Sequence, residues 1–304
     1  MGRIDQFLQT LKSPHTRRAY KTDLRRFCAF VTSKRDKPTV SPSTVLEDAE
    51  TDDLSEFLQH MASEGLSEST RRRRMAAVRA YYDWREKEHG AGGNPARSAA
   101  LRIEDTAGSS SPRVLSKEEI ERLASTAQSF SDAGTRDQAL VLLIVTAALR
   151  RSEASALDAE DVRPLGRHWV VDLPHRPNRR GGFVKIPPVA ADAVQKTLDS
   201  YPEPSGPLWR SYSNRNRGER MSPDAIYARI RELGRAAELG DISVEMLRRS
   251  GLQLASDAGA RPKHLQEHAR LERPQSIAKY FDADPDGPRL QETAGDFLDL
   301  EVQI

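Results

Sequence analysis

The chain of 304 residues carries 47 Lys+Arg against 45 Asp+Glu, and 37% of it is hydrophobic, which is enough apolar content for one or two domain cores. No stretch approaches the roughly 18 apolar residues of a membrane-spanning helix, and the opening MGRIDQFLQTLK lacks the apolar centre of a signal peptide. The single cysteine, Cys28, excludes an internal disulfide and a cysteine-based zinc site, so a cytoplasmic protein with no membrane segment and no metal is expected.

The formal net charge of +2 conceals two asymmetries. Of the basic residues 37 are Arg and 10 are Lys, and Arg is the side chain that grips phosphate with two parallel hydrogen bonds; a compositional bias of the genome accounts for the excess equally well. Between Lys12 and Lys37 nine basic residues face Asp23 and Asp36, a local +7, whereas Glu47 to Glu56 carries -6 and Asp282 to the end another -6. A mean near zero therefore leaves a nucleic-acid partner open.

In chain order, SPHTRRAYKTDLRRFCAFVTS places Tyr20, Leu24, Phe27 and Val31 at spacings of four, three and four, the period of one helix face. Arg17, Lys21 and Arg25 recur at spacings of four on a stripe a quarter-turn or more away, so this helix buries one side and presents a cationic row. A shorter helix opens at Asp52, runs through Leu54, Phe57, Leu58 and Met61, and closes at Gly65. SESTRRRRMAAVRAYYDWREKEHG then aligns Met75, Val78, Tyr82 and Arg85 and completes a small all-helical bundle. Arg71 to Arg74 point around all sides of that last helix, so at most two of them share a surface. One reading is a solvated helix start; the other is phosphate contact by Arg72 and Arg73 beside the Arg17, Lys21, Arg25 stripe.

From 91 to 116 Gly, Ala, Ser and Pro collect and the hydrophobic period is lost, which marks a linker over 96–115 between a domain at 1–95 and a second at 116–285. Ser116 followed three residues later by Glu119 is a helix-capping signature. The stretch 139–149 is the most hydrophobic of the chain and is expected to be the core helix. HWVVDL at 168–173 and FVKI at 183–186 read as two short strands joined by PHRPNRRGG, with Gly181 and Gly182 able to supply a positive-φ turn. Helices are expected at about 189–199, 223–238, 244–258 and 261–269, with a short one around Tyr280. The acidic tail, 286–304, retains Leu290, Phe297, Leu298, Leu300, Val302 and Ile304, too much apolar content for solvated disorder.

Three segments of the second domain, in this order, resemble the tyrosine recombinase (phage integrase) family in the compact layout of its Xer-like and prokaryotic members. TAALRRSEASALDAEDV is similar to the family's first arginine motif and places its arginine at Arg150; EMLRRSGLQLASDAG is similar to the second, ordinarily His-x-x-Arg, and places it at Arg248. HLQEHARLERPQSIAKYF resembles the closing segment and puts the nucleophile at Tyr280, while SPHTRRAYKTDLRRF, the helices after it and Asn94-Pro95 resemble the family's helical core-binding, SAM-like domain. The resemblance implies a mainly α fold: an all-helical N-terminal DNA-binding domain, then a mixed α+β catalytic domain with a small β-hairpin or sheet. It implies a site-specific recombinase that cuts and rejoins DNA through a 3′-phosphotyrosyl bond, with no cofactor and no metal. Double-stranded DNA is the implied partner, with a homo-oligomer, dimer to tetramer, assembled on it and the tail packed on a neighbouring protomer. Arg150 and Arg248 would hold the nonbridging oxygens; Arg179, Arg180 and Arg249 would contact the duplex. Outside that register each key residue has an ordinary reading: Arg150 paired with Glu153, Arg248 with Glu245, and Tyr280 as a core aromatic.

The acid-base residues depart from the family. Glu245 stands where the second motif has His, and a carboxylate there repels phosphate unless it is protonated or paired with Arg248. Leu271 stands at the His or Trp expected before the tyrosine; His268, three residues earlier, serves only if the loop is remodelled. Lys185 is the sole lysine between Lys117 and Lys196 and so the candidate proton donor, although it lies within the second strand and not at the turn. Arg176, Arg179 and Arg180 at the turn are phosphate clamps and poor proton donors, and His175 is a weaker candidate. General acid-base assistance is worth about 100- to 10,000-fold per group. Two functions stay open: a recombinase with an atypical site that includes Glu245, and a recombinase-fold DNA-binding protein with little or no cleavage, acting in assembly or regulation.

Overall fold

The computed structural model describes residues 2–34, 41–90, 93–98, 113–173, 182–271, 298 and 300–302. The chain divides into two compact units, Met1–Ser110 and Ser111–Ile304. In the first, helices α1 (Arg3–Thr10), α2 (Pro14–Lys34), α3 (Pro42–Asp48), α4 (Thr51–Ser63) and α5 (Glu68–His89) enclose one apolar core. The expected faces are the buried ones: Leu24, Phe27 and Val31 of α2, Leu54, Phe57 and Met61 of α4, and Met75, Val78, Tyr82 and Arg85 of α5 are all inside. Gly65, at φ 71, ends the α4 turn as expected. Neither α1 nor α3 is among the expected elements: α3 offers only the adjacent pair Val45–Leu46, too few for a period, whereas Ile4, Phe7, Leu8 and Leu11 keep a helical spacing that the sequence reading passed over. They form because the bundle covers them: Phe7 meets Tyr81 edge-on at 5.6 Å, and Arg85 donates to the Leu46 carbonyl at 3.1 Å.

Both ends of the expected linker at 96–115 are folded. Ala96 is buried in the first core, in a short 3-10 turn capped by Asn94, and its carbonyl accepts from Arg79 Nε at 2.8 Å. At the other end Arg113 donates to the Leu239 carbonyl at 2.7 Å and the Leu115 N–H to Ser250 Oγ at 2.8 Å, which ties both residues to the second unit.

The second unit contains α6 (Lys117–Ser129), α7 (Gly134–Thr146), α8 (Arg151–Ala156), α9 (Pro188–Asp199), α10 (Pro223–Ala236), α11 (Val244–Asp257) and α12 (Pro262–His268). Strands β1 (Val162–Leu165), β2 (His168–Leu173) and β3 (Gly182–Ile186) form an antiparallel sheet in the order β1-β2-β3. The Ser116 capping box is present, with the Glu119 N–H on Ser116 Oγ and the Ser116 N–H on the Glu119 carboxylate. The two expected strands pair, and β1 is an addition: VRPL is short, and its Pro164 argues against a strand until the edge position makes it tolerable. Gly182, at φ 143, opens β3, while Gly181 and the turn residues lie outside the described set.

The hydrophobic stretch 139–149 is not one helix. Helix α7 stops at Thr146, Ala147 caps it, Ala148 turns left-handed at φ 45, and Arg150 is already the N-cap of α8. The stretch stays fully buried through the turn because the unit packs around it on all sides. Helix α11 lies against the end of α7 at backbone distance: a Cβ on Gly251 would stand 2.1 Å from the Val145 carbonyl oxygen. Only glycine permits that approach, and Arg248, one turn earlier on the same face, is thereby delivered to the turn at 147–148. From the tail, Leu298 is buried with Leu252, Ala255, Ala260, Leu265 and Ala269, and Leu300 joins the main core. The Glu301 N–H donates to the Glu121 carboxylate at 2.7 Å. These tail residues pack on their own chain's second unit.

Candidate functional site

Breaking the hydrophobic stretch at Ala148 places Arg150 at the mouth of α8. Its backbone N–H donates to Glu153 Oε2 at 2.8 Å and its Nη1 to Glu153 Oε1 at 2.7 Å, so the ordinary pairing read from the sequence is made. Arg248 is fully buried, with Nη1 donating to the Ala148 carbonyl and Nη2 to the Ala269 carbonyl at 2.6 Å. Arg150 Nη2 reaches the same Ala269 oxygen at 3.2 Å and the Arg270 carbonyl at 3.4 Å. Two arginines 98 positions apart in the sequence therefore converge on one oxygen atom. Glu245 is exposed and its carboxylate lies 4.0 Å from Arg248 Nε, at the limit of an ion pair.

A third guanidinium belongs to this cluster and was not read from the sequence. Arg270, just beyond α12 and left-handed at φ 55, is buried. Its Nη1 donates to the Ala147 carbonyl at 3.0 Å and the His268 carbonyl at 2.6 Å; its Nη2 donates to the Ala148 carbonyl at 2.6 Å and to Glu153 Oε2 at 2.8 Å. Burial alone would raise the Glu153 pKa, but Arg270 and Arg150 outweigh it and hold the carboxyl down to about 2. A depressed carboxylate stabilises the folded state above its ordinary pKa of 4.5, and that contribution is lost as pH falls through 4.5 toward about 2. Thermal melts of the wild type and Glu153→Gln should therefore differ by a constant amount from pH 8 down to about 5, on the order of 3 kcal/mol, and converge in more acidic buffer.

His268 is enclosed, with Nε2 on the Thr146 carbonyl at 2.8 Å. Desolvation, reinforced by the charge of Arg270, pushes its pKa down to about 3, so it is a neutral packing residue. Leu271, expected from the resemblance at the place of the family's His or Trp, packs against the Leu252, Leu265, Ala269, Leu298 cluster. Lys185 is half-buried on β3 opposite Val170 and next in row to Arg163, on the sheet face away from the main core. Arg249 is half-buried on α11. Tyr280, Arg179 and Arg180, with His175 and Arg176, lie outside the described residues.

In the first unit the expected stripe is outward on α2: Arg17 and Arg25 are exposed and Lys21 half-buried. Arg17 Nε donates to the Leu11 carbonyl at 2.7 Å, and Lys21 lies 3.9 Å from Asp5. The Arg71 to Arg74 run divides as helix geometry requires: Arg72 pairs with Glu68 at 2.6 Å, Arg73 reaches from the surface to the buried Asp23, and Arg74 is buried. Arg73 is thus also a brace between α5 and α2. Among the described residues no group of His, Cys, Asp and Glu gathers to hold a metal ion, and no helix is long and apolar enough to cross a membrane.

A small helical unit followed by a helical unit with a three-stranded antiparallel sheet is the arrangement expected of a tyrosine recombinase. Residues 4–89 match the phage integrase N-terminal SAM-like domain and residues 113–286 match the phage integrase family, and the chain belongs to that family. It is 32% identical to the tyrosine recombinase XerC of Rhodospirillum centenum over 285 residues, covering 90% of this chain and 78% of that one. With a tyrosine recombinase of Synechococcus elongatus it shares 27% identity over 299 residues, 93% of this chain and 89% of the relative. The fold also superposes on the Tn1549 transposon integrase solved in complex with transposon right end DNA, at a TM-score of 0.68 and 15% identity over 93% of this chain and 95% of that one.

Proposed function

We propose that the chain is a site-specific DNA recombinase that binds duplex DNA, cuts one strand through Tyr280 and rejoins it to another. The observation that supports this is that Arg150 Nη2 and Arg248 Nη2 are brought together on one oxygen, the backbone carbonyl of Ala269, at 3.2 and 2.6 Å, a position that a phosphate oxygen would have to take over. An oxygen gripped by two guanidinium groups is what the nonbridging oxygen of a pentacovalent phosphorus requires, and prearranged donors of this kind supply the largest share of such catalysis. In this reading the Tyr280 hydroxyl gives up its proton to water as its oxygen forms the new bond to phosphorus, the bond to the 5′-oxygen breaks, and Lys185 donates the proton that leaves with the 5′-hydroxyl. Rejoining is the reverse reaction, and the phosphotyrosyl bond conserves the energy of the one it replaced. Arg17, Lys21, Arg25, Arg72 and Arg73 of the first unit, and Arg179, Arg180 and Arg249 of the second, supply backbone contacts that hold the duplex in register. Two to four copies assemble on DNA, and the face that seats Leu298 and Leu300 is where a neighbour's tail would exchange.

The buried, neutral His268 and the hydrocarbon packing of Leu271 favour a second reading, a recombinase-fold DNA-binding protein that cuts slowly or not at all. Strand exchange separates the two. A duplex recovered from a random library by binding selection is placed twice on one plasmid and incubated with the protein, without ATP or divalent metal. Recombinant circles are expected; tight, salt-sensitive binding with no recombinants supports the second reading.

A further inference from the structure

Arg270 has a conformation and a set of partners that packing alone does not require. A left-handed, non-glycine residue costs on the order of 1–3 kcal/mol and persists where its surroundings over-determine it. Here the surroundings are four hydrogen bonds, to the carbonyls of Ala147, Ala148 and His268 and to Glu153, all within 2.6–3.0 Å. Three of these partners also serve or border the convergent arginines: Ala148 accepts from Arg248, Glu153 from Arg150, and Ala147 precedes Ala148 in the same turn. The carbonyl of Arg270 itself accepts from Arg150 at 3.4 Å.

The electrostatic consequence follows from counting charges. Arg150 and Glu153 alone would be a neutral pair, and a neutral pair attracts a phosphate weakly. With Arg270 on the other oxygen of the same carboxylate, two cations share one anion, and the side facing Arg248 keeps a net positive charge. The four N–H groups on Nη1 and Nη2 of Arg270 are already committed to the Ala147, Ala148 and His268 carbonyls and to Glu153, which leaves none of them for a phosphate.

We infer that Arg270 is a positioning residue that sets the charge of the site: it neutralises Glu153 from the buried side, so that Arg150 meets a phosphate as a full cation. The inference rests on the phosphate-binding reading of Arg150 and Arg248. It separates from a purely structural role because the harm done by removing Arg270 should come from the uncompensated Glu153 carboxylate, and removing that charge should undo it.

The test compares wild type, Arg270→Gln, Glu153→Gln and the double variant, using a duplex recovered by binding selection. Two quantities are measured: duplex affinity as a function of salt, and the rate of covalent complex formation on the same duplex carrying a nick. Arg270→Gln is expected to slow the covalent step roughly 10- to 100-fold, the usual cost of losing a partner behind a ligating group, and to weaken duplex binding. The double variant should recover most of both losses, since Glu153→Gln removes the charge and leaves an amide oxygen to accept from Arg150 Nη1. A double variant no better than Arg270→Gln, or an Arg270→Gln indistinguishable from wild type, overturns the inference. If the wild type forms no covalent complex, the recombinase reading fails by itself, and the affinity comparison alone still decides the role of Arg270. Should Arg270→Gln fail to fold, Arg270→Lys replaces it: the charge is kept and the fork lost, so the rate is expected to stay within about tenfold of wild type, and a loss beyond that overturns the inference.

Discussion

Arg248→Ala is expected to slow strand cleavage by about 1,000-fold or more while leaving duplex affinity within about tenfold of wild type. The guanidinium is fully buried and aimed at the oxygen it shares with Arg150, so its charge acts in a low dielectric where no water substitutes for it. Affinity, by contrast, would on the proposed reading be spread over many phosphate contacts, of which the scissile one is a small part. Arg248→Lys should recover little: Arg248 serves Ala148 and Ala269 from two separate nitrogens, Nη1 and Nη2, whereas lysine brings a single nitrogen on a shorter side chain, and a bidentate site does not accept it as an equivalent. Single-turnover cleavage at saturating protein, with circular dichroism to establish that each variant is folded, measures the effect. A loss under tenfold for Arg248→Ala would remove Arg248 from the chemistry.

Tyr280→Phe removes one oxygen atom and is expected to abolish strand exchange without altering duplex binding or its salt dependence. A phenyl ring keeps the shape of the side chain and cannot form the ester to phosphorus, so no residual covalent rate should remain above background. Equal duplex affinity with strand exchange lost is the predicted pair of results. Continued exchange would place the nucleophile elsewhere in the chain.

How far the site was legible depended on which physical feature carried each part. Arg150 and Arg248 were readable because each lies in a recognisable stretch, and their separation along the chain is closed by the packing of α11 on α7, where Gly251 stands against the Val145 carbonyl. Of what holds the arginines, only the pairing of Arg150 with Glu153 was readable. Their other acceptors are the backbone carbonyls of Ala148, Ala269 and Arg270, and the turns presenting them are left-handed at Ala148 and Arg270. Positive φ is normally announced by glycine or asparagine; alanine and arginine gave no such sign, so 139–149 read as one helix and Arg270 was not singled out. The β1 strand was missed for the opposite reason, since tertiary cover makes an element of a segment whose own pattern is too short to signal it, while the period of Ile4, Phe7, Leu8 and Leu11 in α1 was legible and passed over. Leu271 was legible as a departure from the family, but its part in the Leu252, Leu265, Leu298 cluster emerges only once the tail is seated.

The same contrast applies to the basic surface. The period of four along α2 gave the Arg17, Lys21, Arg25 row directly, whereas the Arg71 to Arg74 run was sorted only by the fold, which assigns Arg73 to Asp23 and Arg74 to the interior. Charge runs on helices disclose how many cations there are, and the core decides which of them face out.

The central claim is that this chain makes a covalent bond to DNA through Tyr280. Its most direct measurement incubates the protein with a nicked duplex carrying its selected site, so that the strand fragment beyond the cut diffuses away and traps the intermediate. A denaturing gel then resolves the adduct, and mass spectrometry of the digested band locates the nucleotide. A covalent band whose modified peptide carries the phosphodiester on Tyr280 is the predicted result; saturating, site-selective binding with no adduct on any tyrosine would contradict it.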